Sequence, residues 1–127
     1  ATSPARDCIV FMGRRADSQN FLSQVDVCAI PSLWEGLPLV LLEAFSVGTP
    51  VVASACDGIL DVVRDGENGL LVRPGDAGAL ADGIERLCKD GALREGLGKA
   101  AQADYRESYS FDVWAERYFD FYREALR

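Results

Sequence analysis

The chain has 127 residues, 49% of them hydrophobic and 26% charged, which suits one globular domain with enough apolar material for a buried core. Thirteen basic residues against 20 acidic ones give a formal net charge of −7. That balance argues against nucleic-acid binding, because no basic stripe can neutralise a phosphate backbone, yet a small phosphate can still be held by backbone amides. The absence of histidine removes Ser-His-Asp and Cys-His nucleophile systems and the usual metal ligand from within the chain.

Four widely spaced cysteines, Cys8, Cys28, Cys56 and Cys88, contain no C-x-x-C pair and read as free thiols of a reducing compartment. No apolar run approaches the roughly 20 residues of a membrane span, and residues 1–7 have no signal-peptide character. The expected location is cytoplasmic. Because a strand-like run follows almost at once, the chain is expected to be part of a longer protein.

In chain order, Cys8 to Met12 is a short apolar run closed by Gly13, so a buried strand is predicted. Asp17 or Ser18 caps a short helix through Phe21, Leu22 and Val25. Asp26 to Ile30 is a second strand, ended by Pro31. After a glycine-containing loop from Leu33 to Leu37, Pro38 takes the first position of a helix that runs through Val47 and stops at Gly48. Pro50 to Ser54 is a third strand, Ile59 to Arg64 a short helix, and Gly69 to Val72 a fourth strand. Asp76 then caps a helix with Leu80, Ile84 and Leu87 at helical spacing. Another helix covers about Ala92 to Glu107. Ser110 caps the last, whose aromatics Phe111, Trp114, Tyr118 and Phe121 or Tyr122 recur on one side. Strand and helix alternate before the terminal helices, the pattern of an α/β domain with a parallel sheet and helices on both faces.

The chemistry concentrates between Pro31 and Gly48. The helix from Pro38 is apolar nearly all round, so it should be buried on most sides, and Glu43 is out of place on it. One reading puts Glu43 on a single wet stripe with Ser46. The other uses geometry: helical side chains lean toward the N-terminus, so Glu43, about 7–8 Å along the axis, points back toward the loop holding Glu35. The helix start also exposes the N–H groups of Gly36, Leu37, Leu39 and Val40 at the positive end of the dipole. Gly36 lets a ligand approach the backbone. These features suit a phosphate on the amides and a hydroxyl-rich sugar or ribose on the carboxylates, at the sheet edge where open α/β folds bind ligands.

The run Pro31-Ser-Leu-Trp-Glu35-Gly-Leu-Pro38, then Glu43-Ala44 and Gly48-Thr-Pro-Val-Val52, resembles the E-x7-E signature of family 4 retaining glycosyltransferases. The similarity continues through Asp65-Gly-Glu-Asn-Gly-Leu-Leu-Val72, Pro74-Gly-Asp76 and the aromatic last helix, so it covers nearly the whole chain. The resemblance implies a GT-B fold of two Rossmann-like domains, with residues 1–127 forming part of the C-terminal, donor-binding one. It implies a nucleotide-diphospho-sugar donor used without a metal or other cofactor, and a sugar, lipid or polysaccharide acceptor. Glu35 would contact the transferred sugar and stabilise charge near the anomeric centre. Glu43 would bond the ribose hydroxyls, and the amides of Gly36, Leu37, Leu39 and Val40 would hold the diphosphate. Met12-Gly13-Arg14 would make a minor contribution at the base.

The chain departs from that family where Gly-Gly-x-x-Glu is usual: it has Asp57-Gly58-Ile59-Leu60-Asp61, and Asp61 is read as favouring the start of its helix. The acceptor domain and the first strands of the donor domain, with their glycine loop and Arg/Lys pair, are not in this sequence. The chain alone is therefore expected not to transfer sugar. In the strand order 3-2-1-4-5-6 its strands match the third to sixth, so Cys8–Met12 lacks a neighbour and is expected to be rearranged, displaced or paired with another chain. Peripheral membrane association would come through the absent domain. A non-catalytic nucleotide-sugar-binding module and a nucleotide-sugar epimerase of the same fold stay open as alternatives. Gly96-x-Gly98-x-x-Ala101 matches a dinucleotide fingerprint but follows no strand, so it is read as part of a helix.

Overall fold

The structure is a computed structural model that describes residues 4–127; Ala1 to Ser3, part of the stretch without signal-peptide character, lie outside the described residues. Three parallel strands, β1 (Cys28–Ile30), β2 (Val51–Ser54) and β3 (Leu70–Val72), form a sheet in the order β1-β2-β3. Cys28 lies opposite Val51, and Val52 opposite Leu70. Around them run α1 (Ser18–Leu22), α2 (Leu39–Val47), α3 (Asp57–Leu60), α4 (Ala77–Lys89), α5 (Gly91–Asp104) and α6 (Phe111–Ala125). The fold is the expected α/β layer, and its strands reproduce the 4-5-6 run of the doubly wound order.

Burial follows from that order. The central strand β2 is buried at every position, as a parallel strand covered on both faces must be. Val51 and Ala53 point into a core with Leu41, Ala44 and Phe45 of α2 and Ile59 of α3, while Val52 points the other way onto Leu87 of α4 and Leu97 of α5. In β1, Cys28 and Ile30 are buried but Ala29 is exposed, so the second face ends before this strand.

The predicted strand at Cys8–Met12 does not form. A single 3-10 turn covers Arg6–Cys8, and the apolar residues after it stand in solvent, with Phe11 94% exposed. No strand among the described residues lies beside the segment, and a strand without a ladder cannot satisfy its backbone. The expected displacement is therefore observed.

Local signals fared well. Gly48 closes α2 in the left-handed region, φ +75°, and its carbonyl occupies the space a side chain on Gly98 would need, which is how α5 lies close to the end of α2. The Gly96–Ala101 run is indeed helical, and Gly98 serves packing. Asp76 accepts from the Ala79 N–H at 2.9 Å, and Ser110 from that of Val113. Two boundaries differ from expectation. The helix expected over Ile59–Arg64 forms earlier, over Asp57–Leu60, so Asp61 follows it instead of starting it. The expected Ala92–Glu107 helix stops at Asp104 and widens into a π turn, Tyr105–Tyr109, whose two tyrosines pack against the core.

The aromatic face of α6 is exposed, its rings packed on one another: Trp114 stacks on Tyr118 at 5.0 Å, and Tyr122 meets Tyr118 edge-on at 5.0 Å. All four cysteines are unpaired, Cys28 and Cys56 buried, Cys8 and Cys88 exposed. Among the described residues no helix is long and apolar enough to cross a membrane.

Candidate functional site

The loop between β1 and α2 rises from the C-terminal end of the sheet and is held on two sides. Ser32 Oγ donates to Glu35 Oε1 at 2.9 Å, orienting the carboxylate. The Gly58 N–H, from the first turn of α3, donates to the Glu35 carbonyl at 3.2 Å. Glu35 is half-buried as a result. Its side chain is fixed by a neighbour three residues back, its backbone by a turn more than twenty residues ahead. The sequence reading assigned a role to neither Ser32 nor Gly58. The Ser-x-x-Glu spacing is the available signal for the first; for the second it is the glycine kept at the second position of the Gly-Gly-x-x-Glu pattern.

Pro38 has φ −71° and ψ 121°, so it flanks α2 as an extended residue, and the helix begins one residue later than expected, at Leu39. No side chain caps this end. The first bond from an amide here is from Leu41 to the Pro38 carbonyl, at 3.0 Å. The N–H groups of Gly36, Leu37, Leu39 and Val40 have no acceptor among the described residues. This leaves donors aimed past the end of the sheet, reinforced by the dipole of a nine-residue helix.

The expectation that α2 is buried on most sides holds from Leu41 to Val47, where every residue is buried or half-buried and Leu42 and Val47 join Leu41, Ala44 and Phe45 against the core. It fails over the first turn, where Leu39 is 73% exposed and Val40 39%, because no described element covers it.

Glu43 is half-buried, with no hydrogen bond or ion pair to its carboxylate among the described residues. It does not lie on an open stripe. It lines a groove of about 490 Å³ whose near wall is Leu37, Leu39 and Leu42, and whose far wall is the π turn and the start of α6, including Tyr109 and Trp114. Gln19 and Arg117 add polar groups to its rim. The groove thus brings Glu43 together with Leu37 and Leu39 beside the helix start. Glu35, Gly36 and Val40 do not line it. A carboxylate in a groove with aromatic walls suits an ordered hydroxyl pair, and amides without partners suit an oxyanion. Among the described residues no three His, Cys, Asp or Glu side chains gather as a metal site.

Residues 1–90 match the family model described as glycosyl transferases group 1. The chain belongs to that family. The group 1 glycosyltransferase chain is 37% identical over 108 residues to LpsE, a lipopolysaccharide core biosynthesis glycosyltransferase of Rhizobium meliloti, covering 85% of this chain and 32% of the relative. Among solved structures it resembles the sucrose-phosphate synthase of Thermosynechococcus elongatus, with TM-score 0.80 and 38% identity over 84% of this chain and 27% of that one. It also resembles HepE of Anabaena in complex with UDP, with TM-score 0.86 and 28% identity over 90% of this chain and 32% of that one. The chain spans about a third of the length of the curated relatives it matches.

Proposed function

We propose that this group 1 chain supplies part of the donor site of a family 4 retaining glycosyltransferase, as one portion of its C-terminal domain. The observation that carries the reading is the row of unpartnered amides at the start of α2, preceded in the chain by the Ser32-held Glu35 and followed by the unpaired Glu43 in its groove. A nucleotide-diphospho-sugar matches that row group by group. Its diphosphate would accept from Gly36, Leu37, Leu39 and Val40, its ribose hydroxyls would donate to Glu43, and the transferred hexose would lie toward Glu35. The structural relative crystallised with UDP supports a nucleotide as ligand. The donor is used here without a metal ion. The acceptor, a sugar, lipid or polysaccharide, would be held by parts of the parent enzyme outside these residues, as would contact with the cytoplasmic membrane face.

With only these groups, the charge that develops on a departing diphosphate has helix amides beside it but no cationic side chain assigned to it, so the isolated chain should bind and not transfer. Calorimetric titration with UDP-, GDP- and ADP-sugars tests the reading. Glu43→Ala should weaken whichever binds by about 10-fold, the equivalent of about 1.4 kcal/mol. Unchanged affinity refutes the ribose assignment, and turnover by the isolated chain refutes its incompleteness.

A further inference from the structure

The backbones of Gly58 and Gly36 cross at a distance that leaves no room for a side chain on one of them. A Cβ built on Gly58 would stand 0.9 Å from the Gly36 carbonyl oxygen, 2.0 Å from its carbon and 3.0 Å from the Leu37 nitrogen. All three atoms are backbone, so no rotamer change relieves the clash. Gly58 is buried, and its N–H is the donor to the Glu35 carbonyl. Gly36 is the reverse case: exposed, with nothing within 4 Å of the position a Cβ would take. One glycine is closed in by the protein; the other opens to the surroundings.

We infer that Gly58 is a positioning residue for the loop that carries Glu35. The inference rests on the donor-site reading. A methyl group on Gly58 reaches ordinary van der Waals separation only if the two backbones part by about 2.5 Å. Glu35 and the amides of Gly36 and Leu37 would move with the loop, and displacements of even about 1 Å at a binding constellation are costly. The tie from Ser32 to the Glu35 carboxylate lies within the same loop and travels with it, so it cannot restore the position.

Gly58→Ala and Gly36→Ala in the full chain, with UDP as the probe, test this by amide NMR spectra and calorimetry. Gly58→Ala should shift the amide resonances of residues 33–40 in the free chain, leave those of α4 and α5 in place, and weaken UDP binding 10-fold or more. Gly36→Ala should leave the melting temperature unchanged and weaken UDP alone. Loop resonances that stay put in Gly58→Ala overturn the positioning role, whatever happens to UDP. If that variant does not fold, amide exchange in the unaltered chain decides. The Gly58 amide should exchange at least 10-fold more slowly than that of Gly36, and more slowly still with UDP bound; equal exchange of the two, or no response of Gly58 to bound UDP, overturns the inference. Displaced loop resonances in a chain that binds no UDP would refute the donor reading and leave the Gly58 seat intact.

Discussion

Replacing Asn68 by alanine should be among the most damaging single changes in the chain. Its side chain is fully buried and every polar position on it is used. Oδ1 accepts from the Arg64 N–H at 2.7 Å, while Nδ2 donates to the Val62 carbonyl at 3.0 Å and to Asp104 Oδ2 at 2.7 Å. Asn68 therefore ties the turn before β3 to the last residue of α5, next to the π turn that walls the Glu43 groove. Alanine removes two neutral bonds worth about 1 kcal/mol each and one to a carboxylate worth about 1.5–3, and leaves the Val62 carbonyl short of a partner. The expected loss is about 3–5 kcal/mol, or about 10–20 °C in Tm for a domain of this size. Arg64→Ala is the control. Arg64 bonds Asp104 and Glu67 at 2.8 Å, but its side chain is 54% exposed, so the cost should stay below about 1 kcal/mol. Urea unfolding followed by far-UV circular dichroism measures both. An Asn68→Ala loss under about 1 kcal/mol, or an Arg64→Ala loss as large as that of Asn68→Ala, would refute the reasoning.

Cys28 is buried at the start of β1, and burial pushes its thiol up from 9.0 to about 11. Below pH 9 the thiol is neutral in both folded and unfolded chains; between pH 9 and 11 the unfolded chain ionises first, so stability falls, by about 2–3 kcal/mol at the upper end. Comparing urea midpoints of the native chain and Cys28→Val at pH 8 and pH 10.5 isolates this contribution, and equal losses in the two would show it absent. Phe11→Ser should change stability by no more than about 0.5 kcal/mol, because the ring is almost wholly in solvent. A loss of about 3 kcal/mol or more, the cost of a core phenylalanine, would mean that Cys8–Met12 is a packed strand in solution.

What could be read in the sequence was what a few neighbouring residues decide. Gly48, Asp76 and Ser110 ended or began helices where expected, since each acts on amides or carbonyls within one turn. The parallel sheet followed from alternation, and the chain's membership of the glycosyltransferase family from a long ordered series of motifs. What failed depended on partners distant in sequence. Cys8–Met12 has the pattern of a strand but lacks the ladder that makes one. The helix expected over Ile59–Arg64 ends at Leu60, and the Arg64 N–H, which a helix reaching Arg64 would give to the Leu60 carbonyl, goes to the Asn68 side chain. The apolar surface of α2 said nothing of how little would cover its first turn. At the site, Glu35, Glu43 and the amides were identifiable as types, but that Gly58 supports one and an aromatic groove houses the other required the fold.

The open amide row has a consequence for how a ligand arrives. A chain of net charge −7 repels an anion at long range, while the donors that would hold it act only over the last few ångströms. For a phosphate held as proposed, encounter and capture should therefore respond to ionic strength differently: added salt would screen the approach and speed association, while weakening the grip at the helix end far less. Such a site would collect phosphates slowly in dilute buffer and faster in salt, the reverse of sites built on lysine and arginine.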